Sequence, residues 1–98
     1  VRLALRVRGE TCPAIALRMR VTAGHMGQLY WATESSPGFA EERVVNFAID
    51  PDGQWHEYRL EPGKHAQWSG QTITGLRIDP GNGAPEGEFA INYIRAGK

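Results

Sequence analysis

The chain has 98 residues, 41% apolar and 22% charged, with twelve glycines and six prolines, the size and make-up of one small globular domain and too little for two independent cores. Eleven Lys plus Arg balance eleven Asp plus Glu, so no global field exists to hold duplex nucleic acid or an anionic membrane. No apolar run approaches the roughly 18 to 20 residues that span a bilayer, and the first residues alternate Arg with aliphatics instead of forming a secretory leader.

In chain order, Val1, Leu3, Leu5 and Val7 alternate with Arg2, Ala4, Arg6 and Arg8, the period of two of a half-buried strand. Gly9 to Pro13 interrupts it. Its one cysteine, Cys12, excludes an internal disulfide, a CxxC pair and a zinc knuckle; it reads as a shielded apolar side chain, with a reactive thiol as the alternative. A start at Val1 instead of Met suggests a segment of a longer polypeptide or a processed or trimmed start. A second strand follows, with Ile15, Leu17, Met19 and Val21 on one face and Arg18 and Arg20 on the other. Gln28 to Thr33, rich in aromatic and β-favouring residues, is a third, closed by the turn formers Ser35 to Gly38.

Glu42 to Ile49 places Val45, Phe47 and Ile49 on one side and stops at Asp50-Pro51-Asp52-Gly53. From Trp55 to Leu60, alternation sends His56, Tyr58 and Leu60 one way and Trp55, Glu57 and Arg59 the other. Thr72 to Asp79 and Glu88 to Arg95 are two more strands, separated by a Pro- and Gly-rich segment that excludes a helix. Only Gly38 to Arg43 is compatible with a short helical turn, and Lys64 to Gly70 reads as an irregular loop or 3₁₀ turn. Seven short strands with Gly and Pro clusters between them predict an all-β fold, an antiparallel two-sheet β-sandwich of the small jelly-roll kind. A partly open oligonucleotide-binding barrel is the alternative; it uses five strands and a helix for which this chain has no candidate. Residues 1–98 form the single domain, with no repeat and no low-complexity tail.

Several of these segments carry a resemblance. Phe47-x-Ile49, Asp52-Gly53-x-Trp55-x-x-Tyr58, Trp68-x-Gly70, Ile73-x-Gly75-Leu76-Arg77-Ile78-Asp79-Pro80 and Ile91-x-Tyr93-Ile94-Arg95 resemble the galactose-binding-like β-sandwich domains, which include many carbohydrate-binding modules. The likeness covers roughly residues 11 to 96 and is sharpest from Asp52 to Asp79. It implies a non-catalytic module attached to a secreted bacterial polysaccharide-active enzyme, and frequently a structural calcium ion. The same residues have a physical reading of their own. Gly53 accepts the positive φ of a tight turn that Asp52 caps, Trp55 opens the next strand as an apolar lid, and Trp68 packs a loop onto the sandwich end.

A sugar site needs a flat aromatic surface beside side chains able to make planar hydrogen bonds. Tyr30, Trp31, Trp55 and Trp68 are the candidate platforms. If Leu29 faces the core, Trp31 goes inward and Tyr30 outward, and a bulge inverts this. Arg18, Arg20, Gln28, Glu57, Arg59, Arg77 and Asn92 fall on solvent sides of the strands and are the candidate polar partners, arginine forks suiting vicinal hydroxyls and carboxylates. Arg outnumbers Lys nine to two, which a genome rich in G and C also produces. For calcium, Asp50, Asp52 and Asp79, with Asn82 nearby, offer hard oxygen donors on loops, though Asp-initiated turns explain them equally and no EF-hand loop is matched.

His25, His56 and His65 lack zinc spacing. No pair of carboxylates is forced into the roughly 5 to 9 Å separation of a glycosidase, and no serine sits in a GxSxG setting. The expected function is polysaccharide binding, of a β-glucan above all, in an extracellular setting, with no nucleic acid and no membrane partner. A structural or protein-interaction sandwich without sugar binding is the competing class.

Overall fold

The computed structural model describes residues 1–80 and 88–97. Among these, the secondary structure consists of seven strands and two single-turn 3₁₀ helices: β1 (Arg2–Arg8), β2 (Ala14–Val21), β3 (Met26–Thr33), β4 (Val44–Ala48), β5 (His56–Leu60), β6 (Thr72–Asp79) and β7 (Phe89–Gly97), with 3₁₀ turns at Gly9–Thr11 and Pro62–Lys64. They form two antiparallel sheets, one of order β1-β6-β3-β4 and one of order β5-β2-β7. The protein is therefore an all-β, two-sheet sandwich. Residues 38–43 do not make the helical turn that their sequence permits; they close a turn in which the Arg43 amide donates to the Ala40 carbonyl. Asn82 lies outside the described residues.

The core is the set of side chains that alternation points inward: Ile15, Leu17, Met19 and Val21 from β2, Leu29 and Trp31 from β3, Ile73, Leu76 and Ile78 from β6, and Leu60 from β5. Two bulges correct that alternation. Along β6, Ile73 and Leu76 are an odd number of residues apart, yet both are buried, because the register with β3 slips between Ala32 and Thr33. In β7 the register with β2 slips between Arg18 and Met19, leaving Asn92 without a cross-strand partner. Ile91 and Ile94 thus share the inner face while Tyr93 stays outside opposite Arg18. On β1, Leu5 and Val7 pack on the core but Leu3 is exposed on this edge strand.

Trp68 seals the sandwich end. Its ring is 0% exposed and meets Trp31 edge-on at 5.3 Å, and its indole N–H donates to the carbonyls of Gly9 (2.9 Å) and Cys12 (3.1 Å). That approach needs a glycine: a Cβ at Gly9 would stand 2.0 Å from the Trp68 carbonyl oxygen. Cys12 is buried beside it as the apolar reading expects, and desolvation raises its pKa, which disfavours the nucleophilic thiolate.

Candidate functional site

The predicted site residues divide among three places. Trp31 and Trp68 are wholly inside the core, so neither offers a face to a ligand. Leu29 faces inward, Trp31 follows it, and Tyr30 points outward from the four-stranded sheet, as alternation requires.

Outward does not mean open, however. Ala32 and Gly75, paired on the same outer face, leave room for the β3–β4 loop to fold back over it. Tyr30 is 5% exposed: its hydroxyl donates to Glu41 at 2.9 Å, and the Arg77 guanidinium lies 4.1 Å above its ring centre. Arg77 is in turn clamped by both carboxylate oxygens of Asp79, at 3.2 and 3.0 Å. Burial, then the Glu41 bond, raises the Tyr30 pKa. Buried Arg43 ties the loop down by donating to the carbonyls of Trp31 (3.3 Å) and Gly38 (2.6 Å). On this face Gln28 is spent on Asn46, at 3.1 Å. Tyr30 is thus covered, which corrects the expectation that its ring receives a ligand, while half-buried Gln28 and Arg77 are engaged with Asn46 and Asp79.

The outer face of the three-stranded sheet is different. Trp55 is 38% exposed just before β5, so it is not the core lid that its motif suggests. The guanidiniums of Arg18 and Arg20, from the neighbouring β2, lie 5.6 and 5.7 Å from its ring centre. Beyond β2, Tyr93 carries Arg95 at 4.1 Å over its ring and donates its hydroxyl to Glu57 across the sheet. That bond is the chief cause of the raised Tyr93 pKa. Arg59 is exposed on β5 two positions beyond Glu57, and Asn92 is exposed at the β7 bulge. Where β2 ends and β7 begins, Arg20, Thr22, Glu88 and Phe89 line an open hollow of about 370 Å³, with Phe89 47% exposed. The structure therefore brings Arg18, Arg20, Trp55, Glu57, Arg59 and Asn92 onto one face.

Sequence reasoning passed over Tyr93, Arg95 and Phe89. Their signal was the run Tyr93-Ile94-Arg95, whose outward members become visible only once β7 is known to pair with β2.

The three predicted calcium ligands do not converge. The Asp52 carboxylate accepts from the Gln54 amide at 2.9 Å and contacts the His56 ring nitrogen at 3.0 Å. The turn bond first, then His56, lowers its pKa. Gly53, at φ +75°, supplies the left-handed residue of that turn. Asp79 is held by Arg77, and the Asp50 amide donates to the Tyr58 hydroxyl at 3.1 Å. Among the described residues, no three His, Cys, Asp or Glu side chains gather as a metal site. Asp52 caps its turn and Asp79 pairs with Arg77. Also among the described residues, no helix is long and apolar enough to cross a membrane. No protein family, curated protein or solved structure matches this chain.

Proposed function

We propose that the domain is a non-catalytic carbohydrate-binding module that holds an attached polysaccharide-active enzyme against its polymer outside the cell. The observation that carries this reading is the exposed indole of Trp55, beside the three-stranded sheet with the Arg18 and Arg20 guanidiniums over its ring. A pyranose presents C–H bonds on its faces and hydroxyls at its rim, so it stacks on such a ring while Arg18, Arg20 and Glu57 address the rim. The sheet positions Arg18, Arg20 and Glu57 before binding, which limits the entropy lost on association. The likeness to galactose-binding-like jelly rolls supports the same reading, and a β-glucan is one polymer it covers.

An open surface of this kind binds in the micromolar to millimolar range, about 4 to 8 kcal/mol. Affinity gel electrophoresis with glucan, xylan, mannan and pectin tests the proposal. At least one polymer is expected to retard the domain, and Trp55→Ala to abolish the retardation. A folded protein retarded by none of them refutes it. The protein-interaction reading draws on Val1 and Leu3, exposed at 48% and 39% on the edge of the larger sheet. It predicts association that survives Trp55→Ala and fails in Leu3→Lys.

A further inference from the structure

Charge is distributed unevenly over this neutral chain. Strands β2, β5 and β7 carry four arginines, Arg18, Arg20, Arg59 and Arg95, against one acidic residue, Glu57. On the four-stranded sheet, three of the four arginines are neutralised locally, Arg6 by Glu34, Arg8 by Glu10 and Arg77 by Asp79, while Arg2 lies over the Phe39 ring. On the three-stranded sheet, Arg18, Arg20 and Arg95 rest on aromatic rings, and among the described residues none of them forms an ion pair. Glu57 stands opposite Arg18 in register, but its carboxylate accepts the Tyr93 hydroxyl.

A guanidinium lying over a ring keeps its N–H edge free, and two planar N–H donors match the two oxygens of a carboxylate. Neutral hydroxyls use that fork only in part. Arg18 and Arg20 are also two residues apart on one strand, about 7 Å, so each raises the other's electrostatic energy until an anion lies between or beside them.

We infer that the polymer is acidic: the face takes a uronate-bearing polysaccharide, its sugar ring on Trp55 and its carboxylates on Arg18 and Arg20. This rests on the carbohydrate-binding reading and narrows it from a neutral glucan to a polyuronate. The positive face is local, on a chain of zero net charge, which suits repeated single carboxylates better than the dense charge of nucleic acid.

The test is affinity gel electrophoresis of the whole chain in polygalacturonate, in the same polymer fully methyl-esterified, and in a neutral β-glucan, with a single-stranded oligonucleotide as competitor. The expected result is polygalacturonate binding tighter by about tenfold than binding to the ester or the glucan, weakening as salt rises. Arg18→Gln with Arg20→Gln is expected to remove that advantage while Arg6→Gln leaves it intact. Should the double variant not fold, Arg95→Gln and the ester comparison carry the test. Equal retardation by charged and esterified polymer overturns the inference and leaves carbohydrate binding standing. Preferential capture by the oligonucleotide also overturns it. Retardation by no polysaccharide at all overturns the underlying reading and the inference with it.

Discussion

Trp68 and Trp55 are the same residue type in opposite roles, and truncating each to alanine should separate them cleanly. Trp68 is fully buried, packs edge-on against Trp31 and donates its indole N–H to the Gly9 and Cys12 carbonyls. Removing it costs about 3 to 5 kcal/mol for the lost burial and cavity, with on the order of 1 kcal/mol more for the hydrogen bonding left behind. A domain of this size holds about 5 to 15 kcal/mol in all, and each kcal/mol moves its melting temperature by about 4 to 8 °C. Trp68→Ala should therefore melt at least about 15 °C lower or fail to fold. Trp55 loses two exposed cation–π contacts, about 0.5 to 1 kcal/mol each, plus a partial burial term. Its variant should lose only about 1 to 2 kcal/mol from those contacts and melt less far below the parent than Trp68→Ala does. Thermal melts followed by circular dichroism, paired with polysaccharide retardation at low temperature, give both readouts. The reasoning fails if the two variants are equally destabilised, or if folded Trp55→Ala still binds while folded Trp68→Ala does not.

Gly9→Ala should be among the most damaging small substitutions, because the new methyl would lie 2.0 Å from a main-chain oxygen that cannot swing away; about 3 kcal/mol is expected, read as a fall of more than 10 °C in melting temperature. Asp52 has a lowered folded-state pKa, so its contribution is complete above the ordinary value of 3.8 and is lost as pH falls through the folded value. The melting-temperature gap between the parent and Asp52→Asn should therefore be widest near neutrality and close toward pH 2; a gap that widens on acidification contradicts this assignment.

The strands were legible because their signal is local. Alternation of apolar and polar residues placed β2 and β5 correctly, down to Trp55, Glu57 and Arg59 sharing the outer side. What alternation could not report is what lies above an outer face. Tyr30 obeys the period of two and is nevertheless buried, because Ala32 and Gly75 admit a loop whose docking depends on Arg43, a residue with no local signature. Asn92 and the residues around it illustrate the other limit: a single-residue bulge in β7 decides that Tyr93 joins the outer face, and bulges follow from pairing between distant strands. The Asp-Gly turn at Asp52 was readable as a turn, but its His56 partner depends on the bend that the turn makes. The sequence suggests a lid at Trp55 because size and position alone do not distinguish a ring that closes a core from an exposed one with arginines over it.

Only β3 and β4 are successive strands in the same sheet; each of the other connections carries the chain from one layer to the other. The central strand of the smaller sheet, β2, finds one neighbour in β5 and the other in β7, which ends at Gly97. Such a wiring gives almost no nearby pairs to nucleate on, so folding should proceed on the slow scale of milliseconds to seconds typical of non-local β topologies. During synthesis the outer face that carries Trp55 is complete only after β7 has emerged, because Tyr93 and Arg95 belong to that strand.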